Sequence, residues 1–207
     1  MGGQYGGEEA FGNMMDNNPF NEFPLEVYQW FMYSSGIFYG ELIRHLLWDE
    51  RKSDFGEMLI HHLATVFLVF GSAYGNLIGI GAVISWLHLF TDMFIALAKI
   101  FSSLKGSFMD TISVINMVCF LLPSWIYLRL LVLPFWIYNL LLNPKAAYPP
   151  HISEFDAFLM LNGVYLLVLM ILHAYWTVLI VKMLSKYLRT GATKDTQEDF
   201  ISEDKRQ

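Results

Sequence analysis

Long apolar runs alternate with short polar ones along this chain. Apolar stretches extend over about Leu25–Trp48, Phe55–Ala73, Leu77–Phe101, Phe108–Leu142 and Phe155–Leu179. A helix of roughly 20 apolar residues crosses a bilayer's hydrocarbon core, so the pattern predicts an all-α, polytopic membrane helical bundle of about five transmembrane helices. Polar connections separate the runs: WDERKSD, a Gly/Asn turn at Tyr74, Gly75 and Asn76, then SSLKGS, then NPKAAYPPHISEFD. The fourth run is too long for one straight crossing at ~1.5 Å per residue. Pro123 and Pro134 each remove a backbone donor there. This run is expected to form a crossing followed by an interfacial or re-entrant piece, with Arg129 between the two.

The ends differ from the middle. Residues 1–24 are rich in Gly, Asn and acid and have no hydrophobic period, which predicts a polar N-terminal arm. With Glu8, Glu9, Asp16 and Glu22 but no Lys or Arg, the arm does not resemble a cleavable targeting segment. Residues 25–190 form the expected transmembrane domain, and 191–207 a charged C-terminal tail. Arg51, Lys52, Lys105, Lys182, Lys186, Arg189 and Lys194 fall on one side if five spans alternate, so the positive-inside rule puts the C-terminus in the cytoplasm or its organellar equivalent.

Composition agrees with a membrane protein: 55% of the 207 residues are hydrophobic and 16% aromatic. A net charge of −6 gives a nucleic-acid partner no electrostatic footing. The single cysteine, Cys119, excludes a disulfide framework and is expected to be an inert buried thiol in an apolar run.

The candidate chemistry lies between Arg51 and Lys99. His61, His62 and His88 stand in segments apolar enough to cross a bilayer, and Asp92 follows His88 by one helical turn, on the same face. An acidic or basic side chain at membrane depth costs at least ~2.5–3.5 kcal/mol on insertion scales, so such groups normally face an interior cavity. A carboxylate next to an imidazole fixes its tautomer or raises its basicity, and three histidines with one acid can supply a nucleophile or general base and its orienting group. His61 and His62 leave a helix ~100° apart and so cannot face the same atom. Imidazole and carboxylate also suit zinc or iron, but no HExxH or EF-hand pattern occurs and no metal is assigned. Glu41, Arg44 and His45 lie near the end of the first run, where a charged tip snorkels to the interface. Lys99 and Arg129 are candidate lipid-binding residues. The ordinary role of Lys99 is an interface anchor; Arg129 can anchor, pair with a buried acid or hold a lipid headgroup.

The block RKSDFGEMLIHHLATV…WLHLFTDMFIALAK resembles the longevity-assurance motif of ceramide synthases, within the TLC-domain family. YLRLLVLPFWIYNLLL resembles the family's Arg-then-Pro-Trp helix, and FLMLNGVYLLVLMILHAYWTVLIVKMLSKYLRTG its last span and basic exit. The likeness runs collinearly over roughly residues 25–195. It implies a barrel of membrane helices that joins the acyl chain of acyl-CoA to the amine of a sphingoid base. His61 would then be the acyl-accepting or base histidine beside His62, His88 the third histidine of the motif, and Asp92 the orienting acid. Two departures accompany the resemblance. Leu89 stands where the motif has its first Asp, and only the polar arm precedes Leu25, which leaves a partial barrel.

Two functions are therefore expected. The first is a catalytically degenerate TLC-fold subunit, structural or lipid-binding, in a larger membrane complex, with other membrane subunits and lipids as partners. The alternative is a ceramide synthase-like N-acyltransferase with acyl-CoA as substrate. No cofactor is expected for either. The location is an integral membrane one: the mitochondrial inner membrane for a complex subunit, the endoplasmic reticulum for a ceramide synthase.

Overall fold

A computed structural model describes residues 22–51, 54–104, 107–142 and 153–190. The polar arm up to residue 21 and the tail from 191 lie outside the described residues. All the described elements are helical. In chain order they are α1 (Leu25–Leu47), α2 (Phe55–Tyr74), α3 (Ile78–Ser103), α4 (Ser107–Asn116), a π turn (Met117–Leu121), α5 (Leu122–Trp125), a second π turn (Ile126–Val132), α6 (Leu133–Leu142) and α7 (Ser153–Thr190).

Four spans are long and apolar enough to cross a membrane: Phe55–Tyr74, Ile78–Ser103, Phe108–Tyr138 and Met160–Lys186. Their outward faces carry Phe70, Phe108 and Ile171, each at least 60% exposed, as an acyl-chain solvent favours and water does not. Helix α1 occupies the range predicted for the first span. Gln29, Ser34, Ser35, Glu41 and Arg44 leave it less apolar than the other four.

The turn between α2 and α3 follows from its residues. Asn76 has a positive φ of 51°, which Asn tolerates better than most residues. The Leu77 amide donates to the Ser72 carbonyl (2.7 Å) and the Asn76 amide to that of Ala73 (3.4 Å). This is the Schellman arrangement, which satisfies carbonyls that the end of α2 would leave free.

The region of Pro123 and Pro134 corrects the expectation of two pieces. From Ser107 to Leu142 the backbone is one helical path, including a single 31-residue candidate crossing. Each proline follows or closes a π turn. The wider i→i+5 pairing accommodates a missing donor and relieves the ring's clash with the preceding turn. The buried positions Met117, Leu121, Trp125, Arg129, Leu133 and Ile137 recur every four residues. In a regular α-helix such a series would drift by ~40° per step; the π turns slow the rotation and keep all six facing inward. Arg129 is thus in mid-path and 2% exposed.

Helix α2 packs on α7 and α1, α3 packs on α1 and α4, and α6 packs on α7. Ala64, Leu68, Ile80, Leu133, Trp136 and Leu169 form the main core between α2, α3, α6 and α7. A second core joins α1 to α2 and α3 through Phe31, Phe38, Val69 and Ala82, with Leu89 packed against it. The last helix runs on through Lys182 and Lys186 to Thr190, well past the expected Leu179.

Candidate active site: a buried histidine cluster

Five histidines meet between α1, α2, α3 and α7. His45 is 4% exposed, His88 2% and His173 0%, and His61 and His62 are also buried. Successive ring centroids are close: His45–His62 5.2 Å, His61–His62 5.5 Å, His61–His88 6.3 Å, His61–His173 6.2 Å and His88–His173 5.0 Å. As the helical geometry requires, the adjacent pair diverges. His62 faces His45, while His61 faces His88, His173 and the Trp176 ring at 5.1 Å.

Hydrogen bonds fix some of these rings and leave others open. His88 Nδ1 lies 2.8 Å from the Ile84 carbonyl oxygen. His61 Nδ1, His62 Nε2, His88 Nε2 and both ring nitrogens of His173 are buried without a hydrogen-bond partner. A buried polar atom without a partner costs ~1–3 kcal/mol, so a cluster of them marks a place where a partner is expected to enter. Trp125 packs on His173 at 5.7 Å, and its Nε1 donates to Thr177 Oγ1 (2.9 Å), which donates to the His173 carbonyl (2.6 Å). These bonds lock the turn of α7 that presents His173.

Arg129 braces the cluster from behind. Its Nε donates to Thr91 Oγ1 (2.7 Å), and Nη2 donates to the His88 carbonyl (3.1 Å) and to Asp92 Oδ1 (2.5 Å). Its guanidinium lies over the Trp125 ring at 4.2 Å. Of the roles open to this arginine, pairing with an acid is the one found, and its burial leaves no surface for a lipid headgroup. Asp92 correspondingly bonds Arg129, and no hydrogen bond joins it to a histidine among the described residues; its side chain is 41% exposed. The His88 tautomer is held by a backbone carbonyl instead. Lys99 is exposed near the end of α3.

At the mouth of the cluster His45 corrects the expectation of a snorkelling tip. Its Nδ1 is 3.0 Å from Asp49 Oδ2, its Nε2 is 3.1 Å from the Phe55 carbonyl, and its ring stacks on Phe55 at 4.2 Å. Arg44 bonds Glu41 and Asp49 at the surface. The hydrogen bond from His45, and then the Arg44 charge, hold the Asp49 carboxyl below the usual carboxylate range.

A narrow crevice leads away from His88 between α1, α2, α3 and α7, past Thr65, Ile84, Leu68, Ile80 and Leu166. Its volume is about 40 Å³. A larger open hollow of about 500 Å³ lies between the starts of α1 and α3, and no histidine lines it. No group of residues suited to hold a metal ion occurs among the described residues.

Sequence reasoning assembled His61, His62 and His88 and missed His45, His173, Thr91, Trp125 and Trp176. The signal for His173 was available: it sits in the middle of an apolar run, where a polar ring needs a reason.

Comparison with known proteins agrees with the fold. Residues 6–182 match the TLC domain. The rice ASC1-like protein 1 (Oryza sativa subsp. japonica) is 30% identical over 180 residues, 84% of this chain and 56% of the relative. Ceramide synthase LOH2 of Arabidopsis thaliana is 31% identical over 191 residues, 90% of this chain and 62% of the relative. Human ceramide synthase 3 is 30% identical over 172 residues, 82% and 42% of the two chains. The chain therefore spans about three-fifths or less of these relatives' lengths. No solved structure matches it. With the TLC domain matched over most of its length and an all-helical, membrane-spanning fold, the chain belongs to the TLC-domain family.

Proposed function

We propose that this TLC-domain protein transfers an acyl group from acyl-CoA to the primary amine of a sphingoid base, with the histidine cluster as its reaction centre. The observation that carries this reading is the His88 ring. A carbonyl oxygen only accepts, so the bond to Ile84 assigns the ring proton to Nδ1 and leaves Nε2 with a free lone pair. That lone pair is buried, has no protein partner and sits beside two further imidazoles, His61 and His173. It is suited to general-base work in a water-poor site.

The chemistry balances on these groups. As the amine nitrogen attacks the thioester carbonyl carbon, imidazole takes a proton from it. Collapse of the tetrahedral intermediate then breaks the C–S bond, and the imidazolium returns that proton to the leaving thiolate. The family resemblance gives the acyl-accepting or base role to His61, whose ring faces His88. The apolar crevice beginning at His88 suits a hydrocarbon tail, and at its present volume side chains must part to admit one. Relatives named ceramide synthases support the same substrate class. With it goes a location in the endoplasmic reticulum.

The competing role, a catalytically idle subunit of a larger membrane complex, rested on the partial barrel and on Leu89. Leu89 is turned ~100° from His88 on α3 and packs against the apolar cluster of Phe31, Phe38 and Val69. A leucine there removes no partner from the histidine rings.

The test is acyl transfer from a panel of acyl-CoAs to sphinganine by the purified protein, with His88→Gln and His61→Gln alongside. N-acyl-sphinganine is expected from the wild type, falling by ~10²–10⁴-fold in His88→Gln, the usual contribution of a general base. No product from the wild type, either purified or in its native membrane assembly, would favour the idle subunit.

A further inference from the structure

Amide formation by this route releases a proton. A sphingoid amine is an ammonium ion at neutral pH and must lose one proton to become a nucleophile, and the second amine proton leaves with the thiol. The balance is ammonium plus thioester giving amide, thiol and one H⁺. A reaction centre enclosed by membrane helices has to export that proton at every turnover.

We propose that His45, held by Asp49, is the surface port of a histidine relay that carries this proton from His88 through His61 and His62 to the aqueous boundary. The inference rests on the acyl-transfer reading and adds residues to it. The rings form a continuous file at 6.3, 5.5 and 5.2 Å from His88 to His45. These spacings put neighbouring rings within reach of one bridging water. Nitrogens of His61, His62 and His88 along this file are buried without protein partners; each can therefore accept and pass on a proton.

The outer end of the file is built differently. His45 contacts a carboxylate through Nδ1 and a carbonyl through Nε2. Both partners are acceptors, so both contacts are hydrogen bonds only when the ring carries both protons. A proton that reaches the ring therefore has Asp49 as its next acceptor, and the Asp49 side chain is 30% exposed. Among the described residues, the charged and titratable groups in contact around this port are Glu41 and Arg44 on α1, Asp49 after it, Arg51 over the Phe55 ring at 5.9 Å, and His62 on α2. Arg44 is paired with Glu41 and Asp49. His45 does not touch the reacting atoms in this scheme; it acts through His62.

The experiment measures turnover of the full chain in lipid nanodiscs for wild type, His45→Gln and His45→Ala. Glutamine keeps a donor for the Phe55 carbonyl or Asp49 but cannot relay a proton. His45→Gln is expected to lower kcat about tenfold at unchanged KM, below the ~10²–10⁴-fold of losing the base itself. The solvent deuterium isotope effect on kcat should rise, because proton export becomes limiting. Free imidazole added to the buffer should restore His45→Ala toward wild type in proportion to its concentration. An unchanged kcat in His45→Gln, or a loss that imidazole does not lift, would overturn the relay and leave acyl transfer standing. A wild type without turnover would overturn acyl transfer, and the relay with it.

Discussion

Helices α2, α3 and α7 each contribute to two ends of one bundle, and the ends are built on opposite principles. At one end they bring together His61, His62, His88 and His173, groups that are costly at membrane depth, each with at least one buried ring nitrogen that lacks a protein partner. At the other end the same helices meet through the absence of side chains. A Cβ on Gly71 would collide with the Asn162 side chain, and one on Gly81 would come within 2.7 Å of the Phe31 ring and 2.9 Å of Ser72 Cβ. Small residues let membrane helices approach closely, and packing there substitutes for the hydrophobic force that lipid cannot supply. The glycine end therefore stabilises the bundle, and the histidine end is free to hold groups selected for chemistry.

Arg129 is the exception within the histidine end, and removing it gives the largest effect on stability. Arg129→Leu strips Asp92 of its cation and leaves a carboxylate at membrane depth, a cost on the order of 2.5–3.5 kcal/mol. It also releases Thr91 and the His88 carbonyl. Thermal unfolding in detergent should show the loss, and pairing the change with Asp92→Leu should recover most of it, because removal of both charges leaves none uncompensated. No recovery in the double variant would mean that Arg129 holds the cluster through Thr91 and the backbone more than through its charge.

At the glycine end Gly81→Ala should destabilise the protein by a smaller amount, about 1 kcal/mol. Overpacking typically costs ~1–3 kcal/mol, and the better helix propensity of alanine returns up to ~1 kcal/mol. The Phe31 ring can swing, but Ser72 Cβ moves only with the backbone of α2. Acyl transfer per folded molecule should stay near wild type. A larger loss of activity than of stability would mean that the two ends are coupled.

How much of this division could be read in the sequence depends on the period of each element. The helices with regular 3.6-residue spacing, α2 and α3, carried their histidines where the pattern placed them. The stretch from Ser107 to Leu142 did not, because two prolines predict breaks while a four-residue stripe from Met117 to Ile137 predicts a face. Those signals conflict unless π turns reconcile them, and local propensity gives no notice of a π turn. The partner of Asp92 differs from the expected histidine for a related reason. One turn from His88 is close enough to bond it, but Arg129, thirty-seven residues away in sequence, supplies a charge that a neutral imidazole cannot match. His45 looked like an interface residue because it sits at a helix end. Its burial depends on Phe55 stacking over it from the next helix, a contact between elements that no single segment encodes.

The smallest effect is expected where the histidine end meets water. Asp49 is held below the ordinary carboxylate value of 3.8 by its bond from His45 and by Arg44. A carboxyl whose folded-state pKa is depressed adds stability above its unfolded value and loses it as pH falls through the folded one. Wild-type melting temperature should therefore decline as pH drops below about 3.8, with Asp49→Asn declining less over the same window and melting slightly lower near neutrality. The group is partly exposed, so the difference at neutral pH should stay within the ~0.2–1 kcal/mol of exposed ion pairs, and salt should shrink it. A difference well above that range would show that the His45–Asp49 contact locks α1 to α2, which would give the port a structural share in the histidine end as well as a place in its proton traffic.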